Sequence, residues 1–310
     1  MKSKEFFVYP VIVLAMIFWS LSFVWYKMVY EFYEPITTIF LRLILSSLFL
    51  VPFTYFIKKL QRIERSDWKY MLLLSFFQPF LYFVGESLGV KYVSSTTAAV
   101  IVSTIPLLTP IVAFMVFKEK LSLFNIIGVI LSFAGVLMVI LEKDLSFAAS
   151  PLGLMLMLLA VASAIVYSVL IIKLAHKYNA YTIITVQNVI GIFLFLPLFL
   201  IFDFQKFIQV PITKDLVIPL LELSVFASSF AFIFFTYGIK VLGITKANMF
   251  TNTIPVFTAV FAYFLLDEIL NIQKITGILI VMAGLFMSQL SLKGMKKMRS
   301  FVYRQFNYRT

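Results

Sequence analysis

Residues 89–140 and 238–289 are one segment written twice, superposing without a gap at a constant offset of 149 residues. Gly89 falls on Gly238, Lys91 on Lys240, Thr104-Ile105-Pro106 on Thr253-Ile254-Pro255, Glu119 on Glu268, Gly128 on Gly277 and Ala134-Gly135 on Ala283-Gly284. About 16 identities in about 52 aligned positions exceed what unrelated apolar segments share by composition. Any fold for this chain must therefore be built from two related halves.

The duplicated segment and its surroundings are 62% hydrophobic and 13% charged, more apolar surface than a soluble core of this length could hide. Ten apolar runs long enough for a helix to cross hydrocarbon can be read: 8–30, 35–57, 70–90, 93–117, 126–141, 151–174, 181–202, 216–239, 244–266 and 275–290. The first is too long and aromatic for a secretory signal and is expected to be retained. Cysteine is absent and the single histidine, His176, lies in a short loop beside Lys177, which removes thiol and most metal chemistry. No cofactor is expected.

Charge sets the expected orientation. With the N-terminus inside, about 19 of the 26 Lys and Arg fall on one side, so both termini are expected in the cytoplasm of a cell with this chain in its inner membrane. The net charge of +12 is then an orientation signal, with the basic tail free to touch anionic lipid, and it does not call for nucleic acid. Ten crossings split at the polar stretch 142–150 give five helices per half, and an odd number forces the halves to be inverted. The expectation is an all-α membrane protein of ten transmembrane helices as two inverted five-helix repeats, 1–142 and 150–290, with a basic tail at 291–310.

A Pro in the fourth helix, a Glu at its end and a Gly-containing fifth helix (Pro106, Glu119, Gly128, Gly135) recur as Pro255, Glu268, Gly277 and Gly284. With Phe18-Trp19-Ser20-Leu21-Ser22-Phe23 and Leu41-Arg42-Leu43, this pattern resembles the EamA-type members of the drug/metabolite transporter superfamily. The resemblance implies a ten-helix carrier whose central cavity is lined mainly by helices 1, 3, 4, 6, 8 and 9, with helices 5 and 10 set aside. It also implies export of amino acids and related metabolites, with sugar-type solutes represented. Helices 6 and 7 keep only loose counterparts of helices 1 and 2, and Gln187 stands where a second Arg would complete the symmetry.

Charge inside hydrocarbon marks candidate site residues. Arg42, Glu86 and Glu222 each lie on the order of 10 Å below the outer face and can converge. Two readings stay open: Arg42 takes an anionic group of the solute while Glu86 or Glu222 takes its amine or a proton, or Arg42 and Glu86 form a structural salt bridge. Glu222, with no evident basic partner, is the expected proton carrier. A second polar set comprises Trp19, Ser22, Gln78, Tyr82, Thr104, Tyr167, Ser168, Asn248 and Asn252. Gln78, Tyr82 and Glu86 are spaced by four and share one helix face, which suits an amphipathic solute, whereas a lone Ser, Thr or Asn more often bonds packed helices together. Pro106 and Pro255 are expected to kink their helices. Glu119 and Glu268 are expected to cap the next helix or fix a turn, and the Gly128–Gly135 and Gly277–Gly284 faces to serve close packing or a subunit interface.

No HExxH, GxSxG or nucleotide-binding loop is present, so neither catalysis nor direct ATP use is expected. The expected partners are a small-molecule solute, protons as a candidate coupling ion, and lipid, in a monomer or homodimer. A sugar- or nucleotide-type carrier, or a facilitative channel, is the alternative.

Overall fold

A computed structural model describes residues 2–108, 123–141, 149–242, 247 and 250–289. Every regular element among them is helical. Seven helices are long and apolar enough to cross a membrane: α1 (Phe7–Tyr30), α2 (Pro35–Phe56), α3 (Arg65–Tyr92), α5 (Leu123–Ile140), α6 (Pro151–Ala175), α7 (Ala180–Phe207) and α8 (Lys214–Leu242). Three apolar helices are shorter: α4 (Ser95–Leu108), α9 (Ile254–Leu266) and α10 (Ile272–Ser288). The chain is thus a membrane protein with seven candidate spans of full length among the described residues, and α4 stops at the edge of those residues.

α4 and α9 carry the same device. Both halves interrupt the helix with a turn, at Ser103-Thr104 and Asn252-Thr253, and restart it so that Pro106 and Pro255 sit in a first turn, where a missing N–H leaves no acceptor unserved. In each turn the threonine hydroxyl donates to the carbonyl three residues back, Thr104 to Ile101 and Thr253 to Phe250, both at 2.6 Å. Each expected proline kink thus lies just after a short turn that keeps right-handed backbone at Ser103 and Thr253.

α5 and α10 pack antiparallel through their glycines. A Cβ on Gly128 would lie 2.6 Å from the Gly284 carbonyl oxygen, and one on Gly135 would lie 2.6 Å from that of Gly277. Polar side chains then cross the seam: Asn125 Nδ2 donates to Ser288 O at 2.6 Å and Ser132 Oγ to Val281 O at 3.0 Å. The two glycine faces are used on each other within the chain.

Both sides of the bundle are tied across the two halves. On one, Glu34 holds Lys91 at 2.5 Å and Lys206 at 3.1 Å, and these hydrogen bonds, that of Lys91 foremost, hold its carboxyl below the usual carboxylate range. Nearby, Asp203 accepts from Thr37 N and Oγ1, both at 2.9 Å, placing a carboxylate at the N-terminus of α2. Glu268 is expected to cap the next helix or to fix a turn. Instead Asp267 turns back in the left-handed region (φ 53°) and Glu268 accepts from Ser95 N (2.6 Å), Thr96 N (3.2 Å) and Thr96 Oγ1 (2.8 Å), capping α4 in the other half. Its repeat mate Glu119 lies outside the described residues. At the opposite end Lys177 pairs with Glu64 and, at 2.7 Å, with Asp67, which hold its ammonium above the usual lysine range.

Candidate functional site

The third helix of each half is irregular at the same register. α3 is interrupted over Phe76–Leu81, where Gln78 leaves helical geometry (φ −144°, ψ 119°), and α8 widens to a π-helix over Leu223–Phe230. Proline supplies the local cause in α3, because Pro79 has no N–H to give and disfavours the helical conformation at Gln78. Residue Ala227 stands 149 positions after Gln78, in the middle of the π segment.

Carbonyls freed inside a membrane cost several kcal/mol each unless they are served. Here each irregular helix is served by the other half. Ser163 Oγ of α6 donates to Phe77 O at 2.6 Å, and Gln187 Nε2 of α7 donates to Gln78 O at 2.5 Å. Reciprocally, Trp19 Nε1 of α1 donates to Ala227 O at 3.2 Å, and Arg42 Nε of α2 donates to Ser228 Oγ at 2.5 Å.

Between these ties lies a cavity of about 30 Å³. Its polar wall is Gln78, Tyr167, Gln187, Asn188 and Ser228; its apolar wall is Pro79, Phe83, Ile184 and Phe232. Tyr167 Oη donates to Gln187 Oε1 at 3.3 Å, and Asn188 Nδ2 to Ser46 Oγ at 2.8 Å. The space admits a water-sized molecule, whereas metabolite pockets run to about 300–1,000 Å³, so the helices must part before a solute enters.

Behind the Ser228 and Phe83 wall sits the buried charge. Arg42 is 3% exposed and stacks its guanidinium 4.6 Å from the centre of the Phe83 ring. Its Nη1 donates to Tyr26 Oη, which donates to Glu86 Oε2 at 3.2 Å; Tyr82 Oη donates to Glu86 Oε1 at 2.7 Å. The direct salt bridge of the second reading is absent: among the described residues Arg42 forms no ion pair, and Tyr26 stands between guanidinium and carboxylate. Depth in the membrane brought the two charges to one level, but the fully buried phenol of α1 occupies the space between them.

The other expected residues divide. Gln78, Tyr82, Glu86, Arg42 and Tyr167 gather around the cavity or directly behind it, and Trp19 packs edge-on against Phe232 and Phe235 while capping Ala227. Ser22, Thr104 and Ser168 bond carbonyls of their own helices. Asn252 is fully buried in the turn before α9, outside the cavity wall. Glu222 is half-buried and forms no hydrogen bond or ion pair among the described residues, and it does not join the Arg42 cluster. Asn248 lies outside the described residues. Tyr26, Ser163, Asn188 and Ser228 escaped sequence reasoning; only the Ser228-Ser229 pair in an apolar run offered a signal. No group of His, Asp and Glu among the described residues could hold a metal.

The EamA-like transporter family model matches residues 6–141 and 151–290. A protein of Archaeoglobus fulgidus named "Uncharacterized transporter" is 26% identical over 290 residues, 93% of this chain and 98% of its own length. The uncharacterized transporter YetK of Bacillus subtilis (strain 168) is 26% identical over 258 residues, 82% of this chain and 78% of its own. One solved crystal structure superposes with a TM-score of 0.67 at 13% identity, over 93% of this chain and 98% of that one, a likeness of fold alone. These relatives are named as transporters, not enzymes.

Proposed function

The chain belongs to the EamA-like transporter family, and from that premise we propose that it is a secondary carrier exporting small metabolites such as amino acids by alternating access. The solute occupies the cavity between α3, α6, α7 and α8, with Gln78, Gln187 and Tyr167 meeting its polar groups and Phe83 and Phe232 its apolar body. Arg42 receives its anionic end through the Ser228 wall.

One observation carries this reading: both third helices are irregular beside the cavity, each served by side chains of the opposite half. Discontinuous helices around a shared site are what a carrier needs to rock one half against the other. The matched threonine turns and the antiparallel glycine seam support ten crossings in two inverted repeats, 1–142 and 150–290. The charge asymmetry supports an inner-membrane protein with both termini and the 291–310 tail in the cytoplasm.

A panel of radiolabelled amino acids and other metabolites in proteoliposomes, with and without a pH gradient, tests the reading. Counterflow of at least one amino acid is expected. A chain that carries none of the panel refutes the amino-acid assignment.

A further inference from the structure

Glu86 is sealed from solvent at 6% exposure, and among the described residues one cation answers it, Arg42, reached through Tyr26. The titratable groups facing Glu86 are Tyr26 and Tyr30 of α1, Arg42 of α2 and Tyr82 of its own helix. α6, which packs on the same stretch, presents Leu156, Met157 and Ala160 to Gly85 and Gly89 and adds no charge.

The same guanidinium is held by cavity-wall residues. Ser228 takes its Nε, Phe83 lies against its face, and Nη2 makes no hydrogen bond among the described residues. A solute carboxylate in the cavity is therefore one side-chain layer from a cation with N–H groups to spare.

We propose that Glu86 is a proton-binding site controlled by Arg42, so that a carboxylate-bearing solute and a proton are bound together. At rest the buried pair is neutral as a unit. A solute carboxylate that draws the guanidinium from Tyr26 leaves two anions sharing one cation in a sealed, low-dielectric region, which is strongly unfavourable. A proton taken from the aqueous phase onto Glu86 restores neutrality: the solute brings one negative charge, the proton one positive charge, and only hydrogen bonds are exchanged. Tyr26 and Tyr82 then turn from donors to a carboxylate into partners of a carboxylic acid. Glu222, without a polar partner and apart from the cavity wall, has no such link to the solute.

The proposal rests on the cavity being the solute site, and its test uses no flux measurement, so it fails separately from the transport reading. Infrared difference spectra of the full chain in lipid at pH 7 are recorded as ¹³C-formate, the smallest carboxylate, is added. Bound formate should appear together with a protonated-carboxyl band that is lost in Glu86→Gln. Arg42→Gln should show the same band without formate, and Arg42→Gln/Glu86→Gln should lack it. Absence of bound formate, bound formate without the Glu86 band, or a folded Arg42→Gln without that band each overturns the proposal. If Arg42→Gln does not fold, the formate experiment on the unaltered chain decides alone.

Discussion

α3 and α8 occupy matching places in the two halves, yet they are filled differently. α3 carries Gln78, Tyr82 and Glu86; 149 residues on, α8 carries Ala227, Ala231 and Phe235. The backbone irregularity is kept in both, while the polar stripe is present in one. Arg42 likewise has the uncharged Gln187 at the matching place of α7, which serves the Gln78 carbonyl as Arg42 serves Ser228. A feature that two halves share belongs to the machinery of the fold, and a feature that one half has alone belongs to what the protein handles. By that division the helix breaks and the glycine seam are architecture, and the Arg42–Tyr26–Glu86 relay is chemistry.

The largest effect is expected at the relay. Arg42→Ala removes the counter-charge of Glu86 and should cost about 3–5 kcal/mol of stability in thermal or denaturant unfolding at neutral pH. The loss arises from a buried, unanswered carboxylate, so it should shrink as pH falls and Glu86 is neutralised, and shrink also in Arg42→Ala/Glu86→Gln. A loss that is independent of both pH and Glu86 would make Arg42 a packing residue.

The seam should behave symmetrically. Gly128→Ala and Gly277→Ala each force a Cβ against a backbone carbonyl, at 2.6 and 2.8 Å, and each should cost about 1–3 kcal/mol. Unequal losses would break the division between shared architecture and one-sided chemistry.

At the breaks the asymmetry should show again. Gln187→Leu orphans the Gln78 carbonyl at the residue of α3 that leaves helical geometry and should cost about 1–3 kcal/mol. Trp19→Phe frees the Ala227 carbonyl in a segment that still winds, so a smaller loss, near 1 kcal/mol or below, is expected. Equal losses would show that the two irregular segments are equally strained.

The smallest effect is expected at Glu34. Lys91 lowers its proton affinity in the folded state, so its contribution is present above the ordinary carboxylate range and is lost as pH falls through the lowered value. The group is partly exposed, so Glu34→Gln should cost no more than about 1 kcal/mol at pH 7 and nothing measurable once the pH is acid enough to neutralise the carboxyl.

Much of the architecture was legible because it follows from local physics. Apolar runs mark spans, and glycines seven apart on a helix mark a close seam, as α5 and α10 bear out. The site was legible in height but not in rotation. Counting residues from the membrane face put Arg42 and Glu86 at one level, but nothing in the sequence says which face of α1 meets them, so Tyr26 was invisible. Glu268 was legible as a cap, but its partner lies 173 residues away, where no local pattern reaches. The break at Gln78 was written in the chain by Pro79 and was masked by the regular spacing of Gln78, Tyr82 and Glu86.

The central claim, that one cavity between two halves is reached from both sides in turn, is tested most directly by a single cysteine. Phe232→Cys places a thiol in the cavity wall of a chain that has no other. In membranes of uniform orientation, a membrane-impermeant maleimide applied to either face should label it, and the reactions should compete for the same site. Labelling from one face only, or from neither, would contradict the account.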